Sequence, residues 1–139
     1  MRVAFATQDR ANVDAHFASA RNFLFYDIGP DGHSFVEAVE FDTVSQQDGN
    51  HSEDGEDRLL AKIDALSGSA LLFVRAIGGP AAARVVRAHV HPIKLPDDEP
   101  IPSVIERVRA MLNSNPPPWL RRAVENRAAG PERFIDDED

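Results

Sequence analysis

The sequence contains no cysteine, and this absence removes several kinds of chemistry at once. Disulfide bonds, thiolate metal sites, cysteine-ligated clusters and cysteine nucleophiles are all excluded. Any metal ion or cluster that the chain binds must therefore be held by histidine, carboxylate or backbone groups.

Long apolar runs and positive charge are also scarce. No apolar run approaches the roughly 20 residues of a transmembrane helix, and the first residues lack the apolar segment of a signal peptide, so a cytoplasmic location is expected. The formal net charge is -8. Nucleic acids and anionic membranes are bound by clustered cations, so neither is an expected partner.

What is present suits an ordinary globular domain. The chain has 139 residues, of which 42% are hydrophobic, enough for a single core. We predict one domain over residues 1–128. Residues 129–139 end in four consecutive acidic side chains and are predicted to form a flexible acidic tail.

The first half of the chain has the patterns of β-strands. Residues 2–7, 22–28 and 34–41 show apolar alternation or aromatic enrichment, and the Gly-Pro-Asp-Gly turn at residues 29–32 predicts a hairpin. The polar segment from Thr43 to Gly55 is predicted to be an exposed loop and a candidate lid over a site.

The second half alternates helices and strands. A helix closing near Leu66 precedes an apolar strand at residues 70–74, and a further strand is predicted at residues 92–95. Ser103 and Glu106 have the spacing of a capping box, which predicts a helix start there, and a last helix is expected from residues 116–118. The whole predicts an α/β fold, ribonuclease H-like, with a mixed five-stranded sheet flanked by helices.

The Gly78-Gly79-Pro80 turn is the clearest candidate site. Glycines at the carboxyl end of a strand allow a ligand to approach the backbone closely, and the following helix directs unpaired N–H groups there, which favours an anion. A tight turn with no ligand is the alternative explanation. Arg75 ends the preceding strand and is either a second anion contact or a partner in an ordinary salt bridge.

Two histidine motifs are candidate metal ligands. His16 follows Asp14 by two residues, so the imidazole could bind a metal while the carboxylate fixes its tautomer; a solvated histidine is the alternative. His89 and His91 would share one side of a strand, but two nitrogens without a third ligand make a poor metal site.

Catalytic motifs are weak. Asp9, Asp14 and Asp27 could form the carboxylate cluster of a metal-dependent nuclease, but their spacing is generic and the chain has no basic stripe for a phosphate backbone. No nucleophile elbow, dinucleotide fingerprint or Walker motif is present. The chain is therefore not expected to be an enzyme.

The motifs together resemble the NifX/NafY family of nitrogenase cofactor-binding proteins, also found as the C-terminal region of NifB. The resemblance covers nearly the whole chain. It depends on the strings Val3-Ala4-Phe5-Ala6-Thr7, Val13-Asp14-Ala15-His16-Phe17, Ala76-Ile77-Gly78-Gly79-Pro80-Ala81-Ala82-Ala83-Arg84, Pro92-Ile93-Lys94 and Asn115-Pro116-Pro117-Pro118-Trp119-Leu120.

This resemblance implies a ribonuclease H-like protein that binds the iron-molybdenum cofactor or its iron-sulfur precursor as cargo. It implies transfer of that cargo between nitrogenase assembly proteins and apo-dinitrogenase. His16 matches the histidine favoured as the cluster contact in the family, and Asp14, Arg75, Gly78 and Gly79 complete the expected site. A protein-interaction module that serves nitrogenase assembly without holding a cluster is the alternative.

Overall fold

The computed structural model describes residues 1–41, 51–114 and 116–122. The named elements, in chain order, are β1 (Arg2–Thr7), β2 (Asn12–Val13), β3 (Asn22–Gly29), β4 (Gly32–Glu40), α1 (His51–Ala65), β5 (Leu71–Val74), α2 (Gly79–Arg87), β6 (His91–Lys94), β7 (Glu99–Pro100) and α3 (Ile101–Asn113). Residues 118–122 are also helical. No described helix is long and apolar enough to cross a membrane.

The main sheet has five strands in the order β4-β3-β1-β5-β6. The pairs β4-β3 and β3-β1 are antiparallel, whereas β1-β5 and β5-β6 are parallel. The predicted mixed α/β architecture with a five-stranded sheet and helices is confirmed. Parallel strands need crossover connections, and α1 and α2 supply them before β5 and β6.

Strand β1 lies at the centre of the sheet, and its side chains are buried on both faces. Val3 and Phe5 belong to one core cluster, which includes side chains of α3, and Ala4 and Ala6 belong to the other, which includes Val85 of α2. The Phe5 ring stacks on Phe73 of β5 at a centroid distance of 5.5 Å. Burial on both faces explains why these strands read as almost continuous apolar runs.

Two predicted boundaries are wrong. Helix α1 begins at His51, inside the segment predicted to be a loop, and residues 43–50 of that segment lie outside the described residues. Helix α3 begins at Ile101 with Pro100 as its N-cap, not at a Ser103 capping box. The Ile101 N–H donates to the carbonyl of Ala11 at 2.9 Å, so a tertiary hydrogen bond takes the place of the side-chain cap.

A second, two-stranded sheet was not predicted. It pairs β2 with β7 in antiparallel register, Asn12 opposite Pro100 and Val13 opposite Glu99. Two-residue strands have too little periodicity to be detected in a sequence. The predicted tail over residues 129–139 and the domain boundary at residue 128 lie outside the described residues.

Candidate functional site

His16 lies beside the carboxyl end of β5. The segment around it runs parallel to the residues that follow β5, and His16 forms an isolated bridge with Ala76. The Phe17 N–H donates to the Ala76 carbonyl at 2.8 Å, and the Arg75 N–H donates to the Ala15 carbonyl at 2.9 Å. Ala15 and Phe17 are buried, whereas His16 is exposed. The backbone is therefore fixed by the core while the imidazole faces solvent.

Helix α2 begins three residues after Ala76. Its N-cap, Gly78, provides no side-chain cap, and the first turn contains no acidic residue. Among the described residues, no group accepts a hydrogen bond from the N–H of Gly79 or Ala81. Pro80 has no N–H, so these two amides and the helix dipole are what the exposed turn offers to an anion.

The two glycines differ in what their backbone requires. Gly78 has φ -72° and ψ 158°, an extended conformation that any residue adopts, and a Cβ there would meet open space. Gly79 is helical and precedes Pro80, and a side chain before proline disfavours that conformation. Backbone strain therefore does not require a glycine at Gly78, and the missing side chain leaves the backbone there open to close approach.

The structure thus brings His16, Gly78 and Gly79 to the same edge of the sheet. At most about 7 Å of chain separates Ala76, the partner of His16, from Gly78. Among the described residues the His16 imidazole has no hydrogen-bond partner. An exposed imidazole and an exposed set of amides can therefore contact one anionic, metal-containing ligand together.

Asp14 has a different role from the predicted one. Its Oδ1 accepts a hydrogen bond of 2.7 Å from the Gln8 N–H, which connects the end of β1 to the segment carrying His16. No hydrogen bond joins Asp14 to His16. The carboxylate shapes the loop rather than fixing the histidine tautomer.

Arg75 also differs from the prediction that it contacts an anion. Its Nε donates to the Leu95 carbonyl and Nη2 to the Pro96 carbonyl, each at 3.1 Å, and Nη1 forms an ion pair with Asp98. These three contacts occupy the guanidinium and hold the segment after β6 against the end of β5. The salt-bridge alternative for Arg75 is the one that the geometry supports.

We expect Arg75→Ala to lower the free energy of unfolding by about 1 to 3 kcal/mol, since three charge-assisted contacts are lost from a partly buried side chain. Denaturant unfolding measures this change. Cargo affinity of the folded variant should match that of the unmodified protein. A variant of unchanged stability that bound cargo more weakly would instead make Arg75 an anion contact.

Lys62 of α1 is a site residue that the sequence did not suggest. It is 1% exposed, its Nζ donates to the Ala18 carbonyl at 3.1 Å, and it lies over the Phe41 ring at 5.0 Å. Burial, with a smaller contribution from the nearby charge of Arg58, lowers its pKa to about 8. Through its bond to Ala18, the ammonium group holds the segment that carries His16. In the sequence, this role is indicated only by a lysine at one of the apolar positions of α1.

His89 and His91 do not lie in the same strand, so the pairing along one strand side that was considered for them does not form. His89 follows α2 with φ 66°, and its N–H donates to Val86 while that of Val90 donates to Val85, a Schellman cap. His91 is the first residue of β6. The described residues contain no group of three or more potential metal-binding side chains.

The carboxylates considered for a nuclease are not brought together. Asp9 accepts hydrogen bonds from the backbone N–H groups of Ala11 and Asn12 and from the side-chain amide of Asn12. These bonds lower the pKa of Asp9 to about 2, and the bond from Ala11 contributes most. Asp27 pairs with Arg2 at the opposite end of β1. The two-metal nuclease hypothesis therefore lacks its site.

Comparison with known proteins identifies relatives of the chain. Residues 1–111 match the family described as "Dinitrogenase iron-molybdenum cofactor". The chain is 49% identical over 139 residues to Protein NifX of Sinorhizobium fredii, covering 100% of this chain and 87% of the relative. It is 50% identical over 124 residues to Protein NifX of Rhodobacter capsulatus, covering 89% and 77%.

A solved structure described as the crystal structure of PH0822 has a similar fold, with a TM-score of 0.55 and 25% identity, covering 79% of this chain and 89% of that one. The matched family and the two relatives define the class of protein. The chain belongs to the NifX family of dinitrogenase iron-molybdenum cofactor proteins. Its role accordingly lies in nitrogenase cofactor biosynthesis.

Proposed function

We propose that the protein is a non-catalytic carrier that binds the iron-molybdenum cofactor or its iron-sulfur precursor and passes it between nitrogenase assembly proteins. In this role His16 ligates a metal of the cluster, and the Gly79 and Ala81 amides at the start of α2 contact its anionic surface. Apo-dinitrogenase and the cofactor-assembly proteins are the proposed recipients and donors. The strand order also leads us to propose a ribonuclease H-like classification.

One observation supports the proposal most strongly. The His16–Ala76 bridge holds an exposed imidazole, which has no hydrogen-bond partner in the described part of the chain, beside an amino-terminal helix end without a side-chain cap. Imidazole is a good ligand for iron, and helix amino termini favour anions. Each feature alone is common, but their combination at one sheet edge suits a ligand that is both metallic and anionic.

The site fits a preassembled cluster better than a single metal ion. No three metal-binding side chains gather among the described residues, so a bare ion would have too few protein ligands. A cluster already has its own internal ligands and needs only an attachment point and a matching charge. One ligand and a few amides also permit release, which a carrier requires.

Substitution of Gly78 by alanine tests this proposal. The Cβ would meet open space within the protein, so stability should stay the same or rise by up to about 1 kcal/mol, while the added methyl stands where the cluster approaches the amides. We expect two- to fivefold weaker binding, about the 0.3–1 kcal/mol of an exposed helix-terminus contact. Anaerobic titration with the isolated cofactor precursor, followed by visible absorption, measures the affinity.

Gly32→Ala is the matched control. Gly32 begins β4 on the hairpin, and a Cβ there also meets open space. It should bind cargo as the unmodified protein does. Equal affinity of the Gly78 and Gly32 variants would remove the α2 terminus from the site. If the unmodified protein itself bound no cluster, the protein-interaction module would be the better description.

A further inference from the structure

A second pocket lies at the opposite end of the parallel strands from His16. It occupies about 270 Å³, next to the carboxyl end of α2 and the amino end of β6, and Ala70 forms part of it. Ala70 and Ala76 flank β5 on its two sides, so about 20 Å of extended chain separates this pocket from the proposed cargo site. It is therefore a separate feature that the carrier function does not use.

Two stacked rings form a fixed wall of the pocket. The His91 imidazole and the Trp119 indole lie 5.0 Å apart between centroids, with an angle of 10° between their planes. His91 is held in register with Leu71 of β5, and Trp119 is followed by Leu120, which is completely buried in the core. Both rings are therefore positioned by the core before any ligand arrives.

The rest of the pocket combines an apolar surface with positive charge. Val86 and Val90 line it, and Val86 is 57% exposed. Arg122 also lines the pocket and forms no ion pair with any described residue. No carboxylate is among the described lining residues.

The electrostatics of the pocket favour an anion. Burial lowers the pKa of His91, and the charge of Arg122 lowers it further, so two groups that carry or accept positive charge lie near each other, and the described lining residues supply no counter-charge. His89 is the other titratable lining residue. The carboxyl end of α2 adds partial negative charge, but N–H groups of residues 88–90 cap its last carbonyls.

We propose that this pocket binds a small organic carboxylate, whose charged group pairs with Arg122 and His91 while its aliphatic part packs against Trp119 and the two valines. The volume is at the low end of small-molecule sites, which restricts the ligand to a short chain. Arginine recognises carboxylate through paired N–H donors, and protonated His91 adds a second positive contact. The proposal is independent of the carrier function.

The pocket contains its own reporter, because the sequence has one tryptophan. Fluorescence of Trp119 in the full-length, cargo-free protein is titrated with isovalerate, with acetate, with the uncharged isovaleramide and with inorganic phosphate. We expect a saturable change with isovalerate, at least fivefold tighter than with any of the other three. Binding should be tighter at about pH 5.5 than at about pH 8, because anion binding favours the imidazolium form of His91.

Arg122→Gln should weaken isovalerate binding at least fivefold, and Arg121→Gln, an exposed neighbour on the same helix that does not line the pocket, should leave it unchanged. Circular dichroism verifies that both variants are folded. Absence of a saturable change, an equal response to isovaleramide or phosphate, or equal weakening by both substitutions would overturn the proposal. Failure here would leave the cluster titration of the Gly78 variant unaffected.

Discussion

His16→Ala is expected to weaken binding of the cofactor precursor at least about tenfold, since even groups that only support a metal ligand are typically worth 10- to 100-fold in affinity. Stability should change little, because the imidazole is exposed and has no hydrogen-bond partner among the described residues. The strand pairing of this segment uses the backbone of residues 15, 17, 75 and 76, which the substitution does not alter. Anaerobic absorption titration and denaturant unfolding measure the two effects.

His33→Ala is the matched control for loss of an exposed histidine. His33 lies at the start of β4, opposite Ile28 and at the other end of the sheet, with its ring 6.1 Å from that of Tyr26. Its removal should leave cargo affinity unchanged. If both histidine variants bound cargo equally well, His16 would not be the ligand, and the α2 amides would be the only part of the proposed site still supported.

Lys62→Met is expected to change the pH dependence of stability. The folded pKa of about 8 lies below the ordinary value of 10.5, so between these pH values the unfolded chain binds more protons than the folded one. Stability of the unmodified protein should therefore rise with pH across this window. The rise is about 3 kcal/mol, from the difference between the two pKa values.

Lys62→Met lacks this titration. Its free energy of unfolding, relative to that of the unmodified protein, should therefore be highest below pH 8 and should fall as the pH rises towards 10.5. Part of that relative advantage is offset by the loss of the hydrogen bond to Ala18 and, where the ammonium group is charged, by the loss of its contact with the Phe41 ring. Lys94→Met, at an exposed position of β6, controls for removal of a lysine. A stability difference between Lys62→Met and the unmodified protein that did not vary with pH would contradict the assignment of a buried, charged Lys62.

The elements that the sequence predicted well are those specified by local pattern. The continuous apolar run of β5 follows from burial on both faces of the sheet, and the Gly78 turn is marked by its own residues. The burial of β4 does not alternate as its sequence does, because a bulge opposite residues 25–26 shifts the register and leaves Phe35 exposed. His16 could be selected as a candidate because its position within the Asp-Ala-His-Phe string resembles a known family. Its placement beside Ala76 required the three-dimensional structure.

The features that were missed depend on contacts distant in sequence. Arg75 contacts residues 95–98, which lie 20 to 23 positions later, and Lys62 contacts a carbonyl 44 positions earlier. The start of α3 is fixed by Ala11, which no local capping pattern can reveal. In each case a tertiary partner overrides the role that neighbouring residues suggest, so periodicity and motif spacing could not identify it.

The ligand of the bound cluster can be measured directly by pulsed electron paramagnetic resonance. The protein is labelled with ¹⁵N-histidine, loaded anaerobically with the cofactor precursor and brought to a paramagnetic state. The account predicts one ¹⁵N imidazole coupling to the cluster, present in His33→Ala and absent in His16→Ala. A coupling that persists in His16→Ala, or a bound cluster with no imidazole coupling in the unmodified protein, would contradict it.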